Sequence, residues 1–229
     1  MNIRKLHQIE MTSRCNLRCR YCAHPTMSRP KIDMTEELYT KALVWARKFV
    51  FAGYQKELNI AGIGESTIHP DFVRFMHLAR EIVGNDVQIT LTTNGVAVSD
   101  DLVRGIVGMR PTVFVSLHRP ERAGPAIEIF KKYGILHGAS ADPSLAATDW
   151  AGQVKWHNSA TAQPCVWIAE GKVMAMADGR ITRCSLDAHA AGVCGTLDDD
   201  LTQIGIAPYS LCAKCIYSAA DGLRFQEAT

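Results

Sequence analysis

His7-Gln8-Ile9-Glu10-Met11 is followed, four residues on, by Cys15-Asn16-Leu17-Arg18-Cys19-Arg20-Tyr21-Cys22. The first stretch reads as a short β-strand. The second sets three thiols within one loop at that strand's C-terminal end. Outward from this pair the chain alternates short apolar runs with helical patterns, the signature of βαβ units around a parallel sheet. Further strands are predicted at 58–61, 87–92, 112–117, 135–139 and 153–156. Helices are predicted after Met34, over 70–83, from Ser99 to near Gly108 and over 126–132. Asp33 with Glu36 signals the first helix start, and Ser99 the third. Leu38, Ala42, Trp45 and Phe49 then recur at helical spacing and read as core.

Six strand–helix units with right-handed crossovers fall short of the eight that close a barrel. The expected fold is therefore α/β, a partial (β/α)6 TIM-type barrel. Sites in such barrels gather at the C-terminal ends of the strands. After about residue 160 the texture changes to short strand candidates at 166–169, 172–176 and 180–183, with Glu170-Gly171 and Asp178-Gly179 as turns. The expected division is 1–158 for the barrel and 159–229 for a small C-terminal domain.

The chain has 229 residues, of which 47% are hydrophobic, enough for a sizeable core. Its net charge of +2 is scattered and gives no argument for nucleic acid. Arg4, Lys5, His7 and Glu10 interrupt any signal-peptide core near the N-terminus, and no apolar run is long enough to span a bilayer. A cytoplasmic protein is expected. The eight cysteines, at 15, 19, 22, 165, 184, 194, 212 and 215, fall into a group of three and a group of five. In a reducing compartment clustered thiols read as metal ligands. Iron–sulfur clusters ordinarily take four thiolates. Three in one loop leave an iron open to a small molecule. A zinc site at this spacing needs a remote fourth ligand, which keeps a zinc-binding interaction protein as the remote alternative.

Cys15-x-x-x-Cys19-x-x-Cys22, with Tyr21 before the last cysteine, resembles the signature of the radical S-adenosylmethionine (SAM) family. The resemblance implies a 4Fe-4S cluster whose open iron chelates SAM, reductive cleavage to a 5′-deoxyadenosyl radical, and hydrogen abstraction from a substrate. Gly62-Ile63-Gly64-Glu65-Ser66 resembles the family's G-G-E-P segment, which binds the SAM amino group. Ile63 and Ser66 depart from that pattern, while Gly64 and Glu65 keep it. Thr92-Thr93-Asn94-Gly95 is a frequent family sequence, and Ser116 or His118 at the fourth strand's end resembles the polar residue that contacts the ribose. All of these fall at one face of the predicted barrel.

Cys165, thirteen residues, Gly179, four residues, then Cys184 is similar to the opening motif of SPASM and twitch domains. Cys212-x-x-Cys215 supplies a later pair with no cysteine after it, as in the shorter twitch form, and the pattern resembles that of twitch-type aminocyclitol dehydrogenases. The resemblance implies an auxiliary 4Fe-4S cluster on Cys165, Cys184, Cys212 and Cys215. Cys194 is left as a substitute ligand, a catalytic hydrogen donor or an ordinary buried thiol. A closed auxiliary cluster favours an oxidoreductase that passes an electron from the substrate radical to the cluster; a redox-neutral isomerase or epimerase is the alternative.

With the first cysteine at residue 15, no peptide-recognition domain is expected ahead of it, and a leader peptide would need a separate partner. The substrate is read as a small molecule, a modified nucleotide or a short peptide, with an external flavodoxin- or ferredoxin-type electron donor and no membrane partner. Arg119, Arg122, His137, Asp149, Trp150, Lys155, Trp156 and His157 lie where the late strands and the domain joint should meet, as substrate-facing side chains or as surface charge and core aromatics.

Overall fold

The computed structural model describes residues 1–117, 119–140, 150–154 and 165–215. Five parallel strands, β1 (Lys5–Ile9), β2 (Glu57–Ile60), β3 (Gln88–Thr93), β4 (Thr112–Ser116) and β5 (Leu136–Ser140), alternate with four helices. These are α1 (Glu36–Phe51), α2 (Phe72–Val83), α3 (Asp100–Ile106) and α4 (Pro120–Lys132). Three more strands, β6 (Lys172–Ala175), β7 (Arg180–Thr182) and β8 (Val193–Thr196), complete one eight-stranded sheet in the order β5-β4-β3-β2-β1-β6-β7-β8. The expected partial-barrel architecture stands, with one change of register along the chain.

The sixth parallel strand is not at Gln153 and Val154, where the expected 153–156 strand would begin. Gln153 and Val154 lie in a turn, and 155–156 fall outside the described residues. Its place is taken by β6, which runs parallel to β1 at the opposite side of the barrel from β5. The strands of the C-terminal part thus extend the barrel sheet through an antiparallel β6–β7–β8 meander. The Val166–Ala169 strand candidate is a short helical turn. Its four residues, all apolar, suit either form and are too few for periodicity to decide.

Local chemistry explains the helices. Thr35, not Asp33, caps α1 by accepting the Leu38 N–H at 3.3 Å. Asp33 is engaged elsewhere, by Thr12 Oγ1 at 2.6 Å and Arg14 Nη1 at 2.6 Å. Ser99 caps α3 as the sequence predicts. Pro120 starts α4 six residues earlier than its apolar pattern suggests, at the position where a missing N–H costs nothing. The helices bury Tyr39, Ala42, Leu43, Phe75, Met76 and Phe130 against Leu58, Ile60, Ile89, Leu91, Val113 and Val115 of the strands. That packing leaves the alternate strand residues for the barrel interior. Among the described residues no helix is long and apolar enough to cross a membrane.

Candidate active site

A cavity of about 290 Å³ opens at the C-terminal ends of β1 to β4. Cys15, Cys19 and Cys22 all line it, with Tyr21, Gly64, Glu65, Asn94 and Ser116. Eight of the residues singled out in the sequence therefore meet in one place. His118 lies outside the described residues.

The cysteine loop is held by its own backbone and by the strand ends. Leu17 N–H points at Cys15 Sγ at 3.4 Å and His24 N–H at Cys22 Sγ at 3.4 Å. Asn94 Nδ2 stands 3.9 Å from Cys15 Sγ and donates to Asn16 Oδ1 at 2.8 Å. Such N–H groups are the donors that tune cluster sulfurs. Burial pushes the Cys22 thiol up to about 11, and its neighbours Cys19 and Cys15 add to the effect. Burial likewise raises Cys15. Grouped, half-buried thiols hold their protons until a cationic centre replaces them, which is the chemistry of a metal-binding loop.

Beneath the loop lies a buried ion pair that the sequence reading did not single out. Arg29 donates from Nη1 and Nη2 to the two oxygens of Glu10, each at 2.7 Å. Glu10 also accepts the N–H of Ile63 at 3.0 Å and of Ala177 at 3.2 Å. One carboxylate at the end of β1 thus ties together the cysteine loop, the β2 loop and the end of β6. A charge closing a strand otherwise buried in the core was the available signal.

Glu65 has a second bracketing role. Its Oε1 accepts from Thr67 N (3.1 Å), Thr67 Oγ1 (2.7 Å) and Thr93 Oγ1 (2.7 Å), and its Oε2 from Asn94 N (2.7 Å). With four protein donors, the carboxylate locks the β2 loop to the β3 end, and the loop presents its backbone to the cavity. Glu65 N–H in turn donates to Arg14 O at 2.8 Å. A Cβ at Gly64 would collide with the carbonyl oxygens of Thr12 and Arg14, so the close approach of the two loops needs glycine.

The other group of cysteines meets as well. Cys165, Cys184, Cys212 and Cys215 line a small second cavity with Arg183, Tyr209 and Ala151. Burial pushes Cys184 up to about 12, with Cys215, Cys165 and Cys212 contributing. Cys194 lines neither cavity. It sits on β8, where its thiol donates to Ile181 O at 3.6 Å and packs against the core. Among the described residues no three histidine, cysteine, aspartate or glutamate side chains converge closely enough to share a single metal ion.

The two cavities share a wall. Trp150 lines the first and its chain neighbour Ala151 the second; Cys184 lines the second and Ser185 and Leu186 the first. Trp150 donates from Nε1 to Tyr21 O at 2.9 Å, and Gln153 ties the same turn to Leu186 O at 2.7 Å. Trp150, Ala151 and Gly152 all have positive φ (52°, 56° and 80°), a left-handed turn that costs side-chain-bearing residues strain. Of the remaining expected substrate-side residues, His137 packs edge-on against Phe114 with ring centres 4.8 Å apart, Arg119 and Arg122 are exposed, and Asp149, Lys155, Trp156 and His157 fall outside the described residues.

A family model described as the radical SAM superfamily matches residues 9–164. The chain is 36% identical over 96 residues to the tungsten-containing aldehyde ferredoxin oxidoreductase cofactor-modifying protein of Pyrococcus furiosus. That match takes in 42% of this chain and 25% of the relative's length, so the chain spans about a quarter of it. The structure of BtrN in complex with AdoMet and 2-DOIA superposes with a TM-score of 0.70 at 14% identity, covering 88% of this chain and 85% of that one. Native anSMEcpe with bound AdoMet and Cp18Cys peptide gives a TM-score of 0.58 at 15% identity, covering 84% and 77%. At these identities the likeness is one of fold.

Proposed function

Because the chain belongs to the radical SAM superfamily, we propose that it is a two-cluster radical SAM oxidoreductase of the twitch type. Membership sets aside the zinc-binding interaction protein. In this reading Cys15, Cys19 and Cys22 hold the SAM-binding 4Fe-4S cluster, and Cys165, Cys184, Cys212 and Cys215 hold an auxiliary one. Residues 1–158 form the SAM-binding unit and 159–229 the auxiliary-cluster unit. When bound, the first cluster supplies the electron that cleaves SAM to methionine and a hydrogen-abstracting 5′-deoxyadenosyl radical, and the second takes up the electron of the substrate radical.

The chain's own residues position the rest. Asn94 and Ser116 offer polar groups where the nucleoside part of SAM would lie, and the loop of Gly64 and Glu65 offers backbone to the amino group. Trp150 covers the cysteine loop from the side of the second cavity and keeps water from it. The observation that carries the oxidative reading is the shared wall: Cys184 faces the auxiliary cavity while the next two residues face the SAM cavity. The 184–186 segment would thus stand between a substrate radical formed in the first cavity and the thiols of the second. The substrate is a small molecule, a modified nucleotide or a short peptide; relatives in fold carry both 2-DOIA and a peptide. A flavodoxin- or ferredoxin-type protein would supply the electron.

The test is stoichiometry under anaerobic turnover with the substrate. Oxidation consumes one SAM and releases one 5′-deoxyadenosine per product. An isomerase that recycles SAM would form many products per 5′-deoxyadenosine, and that result overturns the oxidative reading.

A further inference from the structure

Two buried hydrogen-bond donors stand at the four-cysteine cavity, the Tyr209 hydroxyl beside Cys184 and the Arg183 side chain beside Cys194 and Cys212. Arg183 Nε and the Tyr209 hydroxyl are both buried, and neither makes a hydrogen bond of normal geometry. Both residues line the cavity enclosed by Cys165, Cys184, Cys212 and Cys215. Their side chains lie together, the Arg183 guanidinium carbon 5.7 Å from the centre of the Tyr209 ring. The Tyr209 ring packs so closely on Gly192 that a Cβ there would collide with it. The Arg183 main chain is tied to the same residue by its N–H on Gly192 O at 3.2 Å. Asp187, fully buried, pins the same loop by accepting from Thr182 Oγ1 and from the N–H groups of Ala191 and Gly192.

A buried, unsatisfied donor costs stability unless a partner arrives. Here the partner arrives with the cluster, whose sulfides and thiolate sulfurs accept hydrogen bonds. A positive charge and two donors beside an iron–sulfur cluster stabilise its reduced, more negative form and raise its potential. We propose that Arg183 and Tyr209 are positioning residues that set the auxiliary cluster's potential, making it a better electron acceptor. This rests on the reading that the four cysteines hold a cluster.

The test is an anaerobic redox titration followed by electron paramagnetic resonance. It uses the full iron–sulfur-loaded chain, with a Cys15/Cys19/Cys22→Ala chain to assign the auxiliary wave. Arg183→Leu is expected to lower the reduction equilibrium constant of that wave at least tenfold, about 59 mV for one electron. Arg183→Lys, which keeps the charge and loses Nε, should fall between Arg183→Leu and the natural chain. Tyr209→Phe, which removes one oxygen, should lower the constant several-fold. The first cluster's wave should not move. An unchanged auxiliary wave in both Arg183→Leu and Tyr209→Phe overturns the proposal. So does loss of the auxiliary iron from Tyr209→Phe, because it would make the hydroxyl a structural support. A natural chain that binds only about four irons would instead overturn the two-cluster reading beneath it.

Discussion

The Arg29 guanidinium grips both carboxylate oxygens of Glu10 at 2.7 Å, with the two side chains 2% and 0% exposed. This pair is the hinge point of the site, because Glu10 also receives backbone N–H groups from the β2 loop and from beyond β6. Removing one partner of a buried pair strands the other charge, at a cost of roughly 3–5 kcal/mol. Arg29→Met should therefore lower the unfolding free energy by about that amount in urea. Glu10→Gln combined with Arg29→Met should be less damaged than Arg29→Met alone. A single variant within about 0.5 kcal/mol of the natural chain, the range of a surface change, would contradict this.

The Glu65 carboxylate is held by Asn94 and the threonines at the cavity wall. Glu65→Gln replaces one acceptor oxygen with an NH₂ that faces donors. Each donor left unsatisfied costs about 1–3 kcal/mol. The expected outcome is weaker SAM binding in equilibrium dialysis, by tenfold or more, with the iron of the first cluster retained. Unaltered SAM affinity would show that the bracket is dispensable.

Cys184 and Cys194 lie ten residues apart and differ in their thiol neighbours. Cys184 shares its cavity with three other thiols; Cys194 bonds a strand carbonyl. Cys184→Ser should lose about half of the roughly eight irons expected for two clusters, and Cys194→Ser should lose none. Equal losses would place Cys194 among the ligands.

His7 gives a pH signature. Burial, helped by the nearby Lys172 charge, lowers its imidazole from 6.5 to about 4. Between those values the unfolded chain binds the proton and the folded chain does not, so stability rises with pH across that window and is lost as pH falls through it. His7→Gln should flatten this part of the stability–pH curve, measured by urea unfolding from pH 4 to 7. A slope unchanged by the substitution would assign it to other groups.

The barrel and its site were legible where short-range pattern carries the information. Strand positions come within two residues of the structure at β1 to β5, because helix-packed faces and turn residues repeat locally. The three-cysteine loop needs only its own spacing. What escaped depends on long-range closure. The sixth strand went to 153–156 because nothing local says that 172–175 pairs with β1 on the far side of the barrel. Arg29 looks like one of many basic residues until the fold carries it to Glu10. Arg183 and Tyr209, 26 residues apart in sequence, share a cavity only after the β6–β8 meander brings their segments together.

The most direct test of the account is whether three thiols make a SAM-cleaving centre. Anaerobically reconstituted protein given dithionite and SAM should form 5′-deoxyadenosine, and Cys15→Ala, Cys19→Ala and Cys22→Ala should each abolish it. A natural chain that forms none while loaded with iron, or cysteine variants that form as much as the natural chain, would contradict the account.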